Sequence, residues 1–129
     1  MRTIAPSTRR STVAVAGAKM AKSTGNLVLV SDLLKEHPAA AVRLLILDRR
    51  WDQDWDFSVA GLDAAGARLE RLQAAAGRPE RGAAGSASPA LAAMRAALAS
   101  DLDVPAALNI AEDGGGQAAR SLGSLLGLW

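Results

Sequence analysis

Apolar positions along the chain change period several times, and each change marks an element. Val13 and Val15 alternate with small residues over Thr12 to Ala16, the period of a short strand. Gly17-Ala18 turns the chain into Lys19-Met20-Ala21-Lys22-Ser23-Thr24-Gly25-Asn26, and Leu27 to Val30 is a second apolar run of strand length. Ser31 is placed to cap a short helix over Asp32 to Glu36, whose acids sit near its positive end. Pro38 suits the first position of a further helix reaching about Arg50, burying Val42, Leu45 and Ile46 with Leu44 or Leu47 at its flank.

Polar residues between aromatics interrupt the pattern from Trp51 to Ser58. Ser58 then caps a helix with the stripe Val59, Leu62, Ala65, Leu69, Leu72 and Ala76. Gly77 to Ser88, rich in glycine, reads as a mobile surface loop. Ser88-Pro89 restarts a helix with the stripe Leu91, Met94, Leu98 and Leu102. The residues before Pro105 end it, because a residue preceding proline avoids the helical region, and Pro105 opens the next. Gly114-Gly115-Gly116 stops that helix, and Gln117 to Leu126 forms a last one presenting Leu122, Leu125 and Leu126. The expected fold is mainly α: a small bundle of about five helices behind a short β-hairpin-like segment that carries the lysine loop. The expected organisation is a flexible lead-in over residues 1–11 and one domain over residues 12–129.

Composition narrows the chemistry. A chain of 129 residues is the usual size of one domain. Half of it is apolar with alanine foremost, and a single phenylalanine and no tyrosine favour close-packed helices over a β-sandwich. The absence of cysteine excludes disulfides, a thiol nucleophile and cysteine metal sites within this sequence, and the lone His37 excludes a polyhistidine site. No apolar stretch is long enough to span a bilayer. The acid-free, Ser/Thr/Arg-rich start resembles an organelle transit peptide, but reads more simply as a lead-in, which leaves the cytoplasm as the expected location.

The net charge of +2 hides an asymmetry. Up to Arg50 there are nine basic residues against three acids, and beyond it six against ten. A basic N-terminal third suits phosphate, nucleic acid or an acidic partner, and equally a solvated face.

Within it, Lys19 and Lys22 supply point charges for phosphate oxygens, Ser23 and Thr24 add hydroxyl donors, and Gly25 lets the backbone approach a ligand. The same residues also suit a plain solvated turn, and the Walker A spacing is absent. Trp51 and Trp55 suit either stacking on a base or packing over the bundle. Asp52, Asp54 and Asp56 read as turn acids or caps more readily than as ion ligands, and Asp101 and Asp103 as caps of the Pro105 helix. His37 reads as a surface residue at a helix end, and Trp129 as either plugging a groove or hanging free.

Lys19-Met20-Ala21-Lys22-Ser23 resembles the Lys-Met-Ser-Lys-Ser signature loop of class I aminoacyl-tRNA synthetases. The following Thr24-Gly25-Asn26 and the Leu-Val-Leu-Val-Ser-Asp-Leu-Leu run look like the cysteinyl-tRNA synthetase branch, and more closely like the related mycothiol cysteine ligase. The likeness continues through Pro38 to Leu45, Asp54-Trp55-Asp56 and Asp101 to Leu108, covering about Thr12 to Leu128. The resemblance implies a loop that closes over ATP, with Lys22 stabilising the departing pyrophosphate and Lys19 assisting. Ala21 departs from the family's serine, removing one hydroxyl and leaving both charges.

The resemblance also implies that the nucleotide-binding Rossmann domain and the zinc ligands reading the cysteine thiol lie upstream of such a loop. Neither is within this sequence, and no anticodon-domain sequence follows Leu128, so the match is to the C-terminal part of such a ligase. The expected function is accordingly a non-catalytic helical interaction module that binds no cofactor alone and self-associates as a dimer. Two alternatives stand beside it. One is a subunit that brings the lysine loop to a separate Rossmann-domain ligase subunit and its ATP. The other is an RNA-binding module, disfavoured because few aromatics lie among the basic residues.

Overall fold

The computed structural model describes residues 12–79 and 88–129. The lead-in of residues 1–11 and most of the Gly77 to Ser88 loop lie outside the described residues. The chain runs β1 (Val13–Val15), β2 (Ala18–Lys19), α1 (Val30–Leu33), α2 (Ala39–Leu47), β3 (Trp55–Phe57), α3 (Val59–Ala76), α4 (Pro89–Ala99), α5 (Val104–Gly114) and α6 (Gly116–Leu125). It is a mainly α protein in which a three-stranded sheet flanks a helical bundle. Among the described residues no helix is long and apolar enough to cross a membrane.

Local chemistry sets three of the helix starts as the sequence implies. Ser58 Oγ accepts from Gly61 N at 3.0 Å, Ser88 Oγ from Leu91 N at 3.0 Å, and Asp103 Oδ1 from Ala106 N at 3.2 Å. Each satisfies a backbone donor that a first helical turn leaves without a partner. At α1 the expectation fails. The helix begins at Val30 with Leu29 at its cap and no capping side chain, so Ser31 lies inside it. Pro38 holds the cap position of α2 rather than its first turn.

The sheet has the order β2-β1-β3. β1 and β2 pair antiparallel with Val15 opposite Ala18, and β1 and β3 pair parallel with Val13 opposite Trp55 and Val15 opposite Phe57. Two corrections follow. Leu27 to Val30 is not a strand, because the edge it would pair with is taken by Ala18–Lys19. The segment after Trp51, expected to be irregular, supplies β3, whose parallel partner lies far back in the chain across α1 and α2, as a parallel connection requires.

The core joins α2, α3, α4, α5 and α6. Leu44, Leu62, Leu72, Met94, Leu108 and Leu122 are its largest fully buried side chains. Leu126 and Leu128 close it from the C-terminus, and the Arg43 guanidinium donates to the Leu126 carbonyl to hold that segment on α2. The buried face of α2 is Ala41, Val42, Leu44 and Leu45, and Ile46, expected inside, is half exposed. Val59, Leu102 and Leu125 are also exposed rather than buried, each at or just beyond a helix end, while Leu91 and Leu98 are partly buried. Trp129 is half-exposed and lies against Gly123, where a Cβ would overlap its ring.

Candidate functional site

The lysine loop hangs from a two-residue hairpin turn. Ala16 (φ 52°) and Gly17 (φ 81°) are both left-handed, the turn geometry that matches the right-handed twist of the strands it joins. Two acids of the Trp51–Ser58 segment anchor β1 to β3: Asp54 Oδ1 accepts from Thr12 N at 2.8 Å and Asp56 Oδ1 from Gly17 N at 3.2 Å. Both stay exposed, and neither caps a helix. They lock the sheet that presents the loop.

Met20 N donates to Val13 O at 2.9 Å, extending the ladder one step past β2. Ala21 is extended, and Lys22–Thr24 then forms one 3-10 turn closed by Gly25 at φ 72°. Asn26, placed by that left-handed glycine, returns to the hairpin. Its Oδ1 accepts from Ala21 N at 2.8 Å and lies 2.6 Å from Thr24 Oγ1. Its Nδ2 donates to Lys19 O at 3.0 Å and Ala18 O at 3.3 Å.

Lys19, Lys22, Ser23, Thr24 and Gly25 are exposed, Met20, Ala21 and Asn26 half-buried. Among the described residues neither ammonium is paired with a carboxylate, whereas Lys35, Arg50, Arg68 and Arg71 all are. Two solvated cations on a clasped turn can meet an anion without first breaking an ion pair. The Asn26 clasp was not foreseen from the sequence.

Sequence reasoning also missed what lies beneath. A cavity of about 450 Å³ opens beside the loop, lined among others by Met20, Val30, Ile46, Trp51, Trp55 and Phe57. Its wall is almost wholly apolar, and Leu27, Leu29 and Leu34 on the segment bordering it are exposed. Trp55 rests on the core with the Arg49 guanidinium 3.7 Å from its ring centroid, a cation–π contact. Arg49 also donates twice to Leu45 O, at 2.9 and 2.8 Å. Burial pushes the Arg49 guanidinium below its ordinary value and the neighbouring Asp48 charge opposes the shift. Trp51 lies exposed at the cavity rim, and its Nε1 donates to Asp101 Oδ1 at 3.2 Å. Asp101 therefore serves the α4–α5 turn with Trp51 and Arg50, and Asp103 alone caps α5.

The sequence that forms this region is similar to known proteins. Residues 8–67 match the family model of tRNA synthetases class I (C), catalytic domain. These are similar to, and extend into, a set of curated ligases. The L-cysteine:1D-myo-inositol 2-amino-2-deoxy-alpha-D-glucopyranoside ligase of Kineococcus radiotolerans is 48% identical over 97 residues, 74% of this chain and 22% of the ligase. That of Streptosporangium roseum is 42% identical over 100 residues, 78% of this chain and 24% of the ligase. That of Renibacterium salmoninarum is 42% identical over 115 residues, 88% of this chain and 26% of the ligase. These matches support a likeness to part of the cysteinyl-tRNA synthetase-like family. Its similar relatives there are mycothiol cysteine ligases, of whose length the chain spans about a quarter.

Proposed function

We propose that this chain is the lysine-loop and helical-bundle portion of an ATP-dependent cysteine ligase, inactive by itself, which docks onto a nucleotide-binding portion. The observation that carries this reading is the position of the unpaired lysine loop on the rim of an open apolar cavity. An apolar surface of this kind left in water favours a partner. A partner seated there lies next to Lys19 and Lys22.

In such an enzyme the cysteine carboxylate attacks the α-phosphorus of ATP, the bond to the bridging oxygen breaks, and pyrophosphate leaves. Charge builds on the departing oxygens, and two ammonium groups held near them stabilise it. Ser23 and Thr24 add hydroxyls at the same turn. Ala21 supplies no donor from its side chain, so the lysines carry the electrostatic work.

The test is cysteine-dependent exchange of labelled pyrophosphate into ATP, assayed with the full chain alone and mixed with a nucleotide-binding cysteine-ligase portion. The expected result is exchange only in the mixture, reduced at least about a hundredfold by Lys22→Ala with assembly intact. Exchange that Lys22→Ala leaves unaltered would refute the role of the loop. A second copy of the chain is the competing occupant of the apolar face. Sedimentation at tens of micromolar showing a dimer that excludes the nucleotide-binding portion would replace this reading with that of a self-associating module.

A further inference from the structure

We propose that Asn26 is the positioning residue of the lysine loop, holding Lys19 and Lys22 at the spacing that lets both engage one polyphosphate. The proposal rests on reading the loop as a polyphosphate site.

Both ends of the Asn26 carboxamide are engaged. Oδ1 takes the Ala21 N–H at 2.8 Å and shares the Thr24 hydroxyl at 2.6 Å, while Nδ2 reaches the carbonyls of Ala18 and Lys19 at 3.3 and 3.0 Å. Lys19 O belongs to the first lysine itself, and Ala21 N precedes the second by one residue. Lys19 is also held by the β1–β2 ladder, so the Asn26 side chain ties the backbone leading into Lys22 to a lysine that the sheet already fixes. The turn's own bonds, Thr24 N to Ala21 O and Gly25 N to Lys22 O, shape it without attaching it to β2. The last backbone bond across the hairpin is made by Met20, before Lys22 is reached.

The chemistry selects asparagine. A carboxylate at this place could not donate to two carbonyls and would set a negative charge beside the lysines. Glutamine carries the same group one methylene too far. A lysine pair on an unclasped turn must be ordered on binding, and that ordering reduces affinity without altering charge.

Titration calorimetry with tripolyphosphate and with inorganic phosphate, on the full chain and its Asn26→Ala, Asn26→Gln, Lys22→Ala and Asn26→Ala/Lys22→Ala variants, tests this. Asn26→Ala and Asn26→Gln are each expected to weaken tripolyphosphate about tenfold and to leave phosphate, which engages one ammonium at a time, unchanged. In the Lys22→Ala background Asn26→Ala should cause no further loss, because its effect passes through Lys22. Exchange of the Ala21 amide should accelerate in Asn26→Ala, with the amides of α2 to α6 and the melting temperature unmoved. Tripolyphosphate binding by the unaltered chain together with undiminished binding by both Asn26 variants overturns the positioning role alone. An equal loss in the Lys22→Ala background does the same. No binding by the unaltered chain overturns the polyphosphate reading and the positioning role with it.

Discussion

Replacing Arg68 by alanine tests how the bundle is tied together. Arg68 on α3 reaches three side chains: Nη1 lies 3.2 Å from Asp48 Oδ2 just beyond α2, Nη2 donates to Asn109 Oδ1 on α5 at 2.7 Å, and Nε lies 3.4 Å from Glu112 Oε1, also on α5. The last pair attracts without hydrogen-bond alignment, leaving Nε and Oε1 buried with no hydrogen-bond partner. The side chains of Arg68, Asp48 and Glu112 are 16, 23 and 21% exposed, so the cluster is neither dry nor solvated. Breaking a buried ion pair costs about 3–5 kcal/mol because a charge stays behind unpaired, and breaking an exposed one costs about 1 kcal/mol or less.

Arg71, 3.6 Å from Glu112, keeps one of the two acids compensated. Asp48 loses its guanidinium outright. Arg68→Ala is therefore expected to cost about 2–3 kcal/mol, including packing of the arginine stem. Arg68→Lys keeps the charge but cannot serve three acceptors from one ammonium, and about 1–2 kcal/mol is expected. Urea unfolding at pH 7 measures both, with an unchanged denaturant slope showing that stability alone has moved. A loss under about 0.5 kcal/mol for Arg68→Ala, or full retention in Arg68→Lys, would refute the argument that this network is partly desolvated and geometrically specific.

Two further substitutions are expected to stabilise the chain. Ala16→Asn places Asn-Gly at a turn whose two residues are both left-handed, and about 0.5–1 kcal/mol of added hairpin stability is expected from slowed amide exchange in β1 and β2. Leu102→Gly relieves a second left-handed position (φ 54°) whose side chain is 59% exposed and contributes little packing. A gain of about 0.5 kcal/mol in urea unfolding is expected, whereas Asp101→Gly, at φ 55°, should gain nothing because it loses the Arg50 and Trp51 contacts.

Residues whose structure is decided within a few positions were legible. Ser58, Ser88 and Asp103 cap the helices that follow them because the capping bond spans three residues and needs no tertiary partner. The composition of the lysine loop was legible for the same reason, whereas the left-handed turn at Gly25 came only with the structure. The stripe of α3 held in Leu62, Ala65, Leu69 and Leu72, where an eighteen-residue helix gives the period room to show. It failed at Val59, because the first helical residue projects past the neighbours that would cover it.

What depends on distant partners was not legible. Trp55-Asp56-Phe57 is a three-residue strand, too short to display a period, and exists because β1 lies parallel to it. The same pairing gives the exposed Asp54 and Asp56 backbone donors to accept from at the hairpin. Ile46 was assigned to the core on helical spacing. In the structure Ile46 is half exposed and lines the cavity, while Ala41, Val42, Leu44 and Leu45 form the buried face of α2.

By itself, then, the sequence determined the longer helices, the caps of α3, α4 and α5, the residues of the lysine loop and the likeness to a family, since each is written in residue types at short separations. Only the tertiary structure decided that Asn26 clasps the loop, that the loop stands on a sheet, and that an apolar cavity opens beside it. A cavity is the space between elements brought together from separate parts of the chain, and no local pattern encodes its shape.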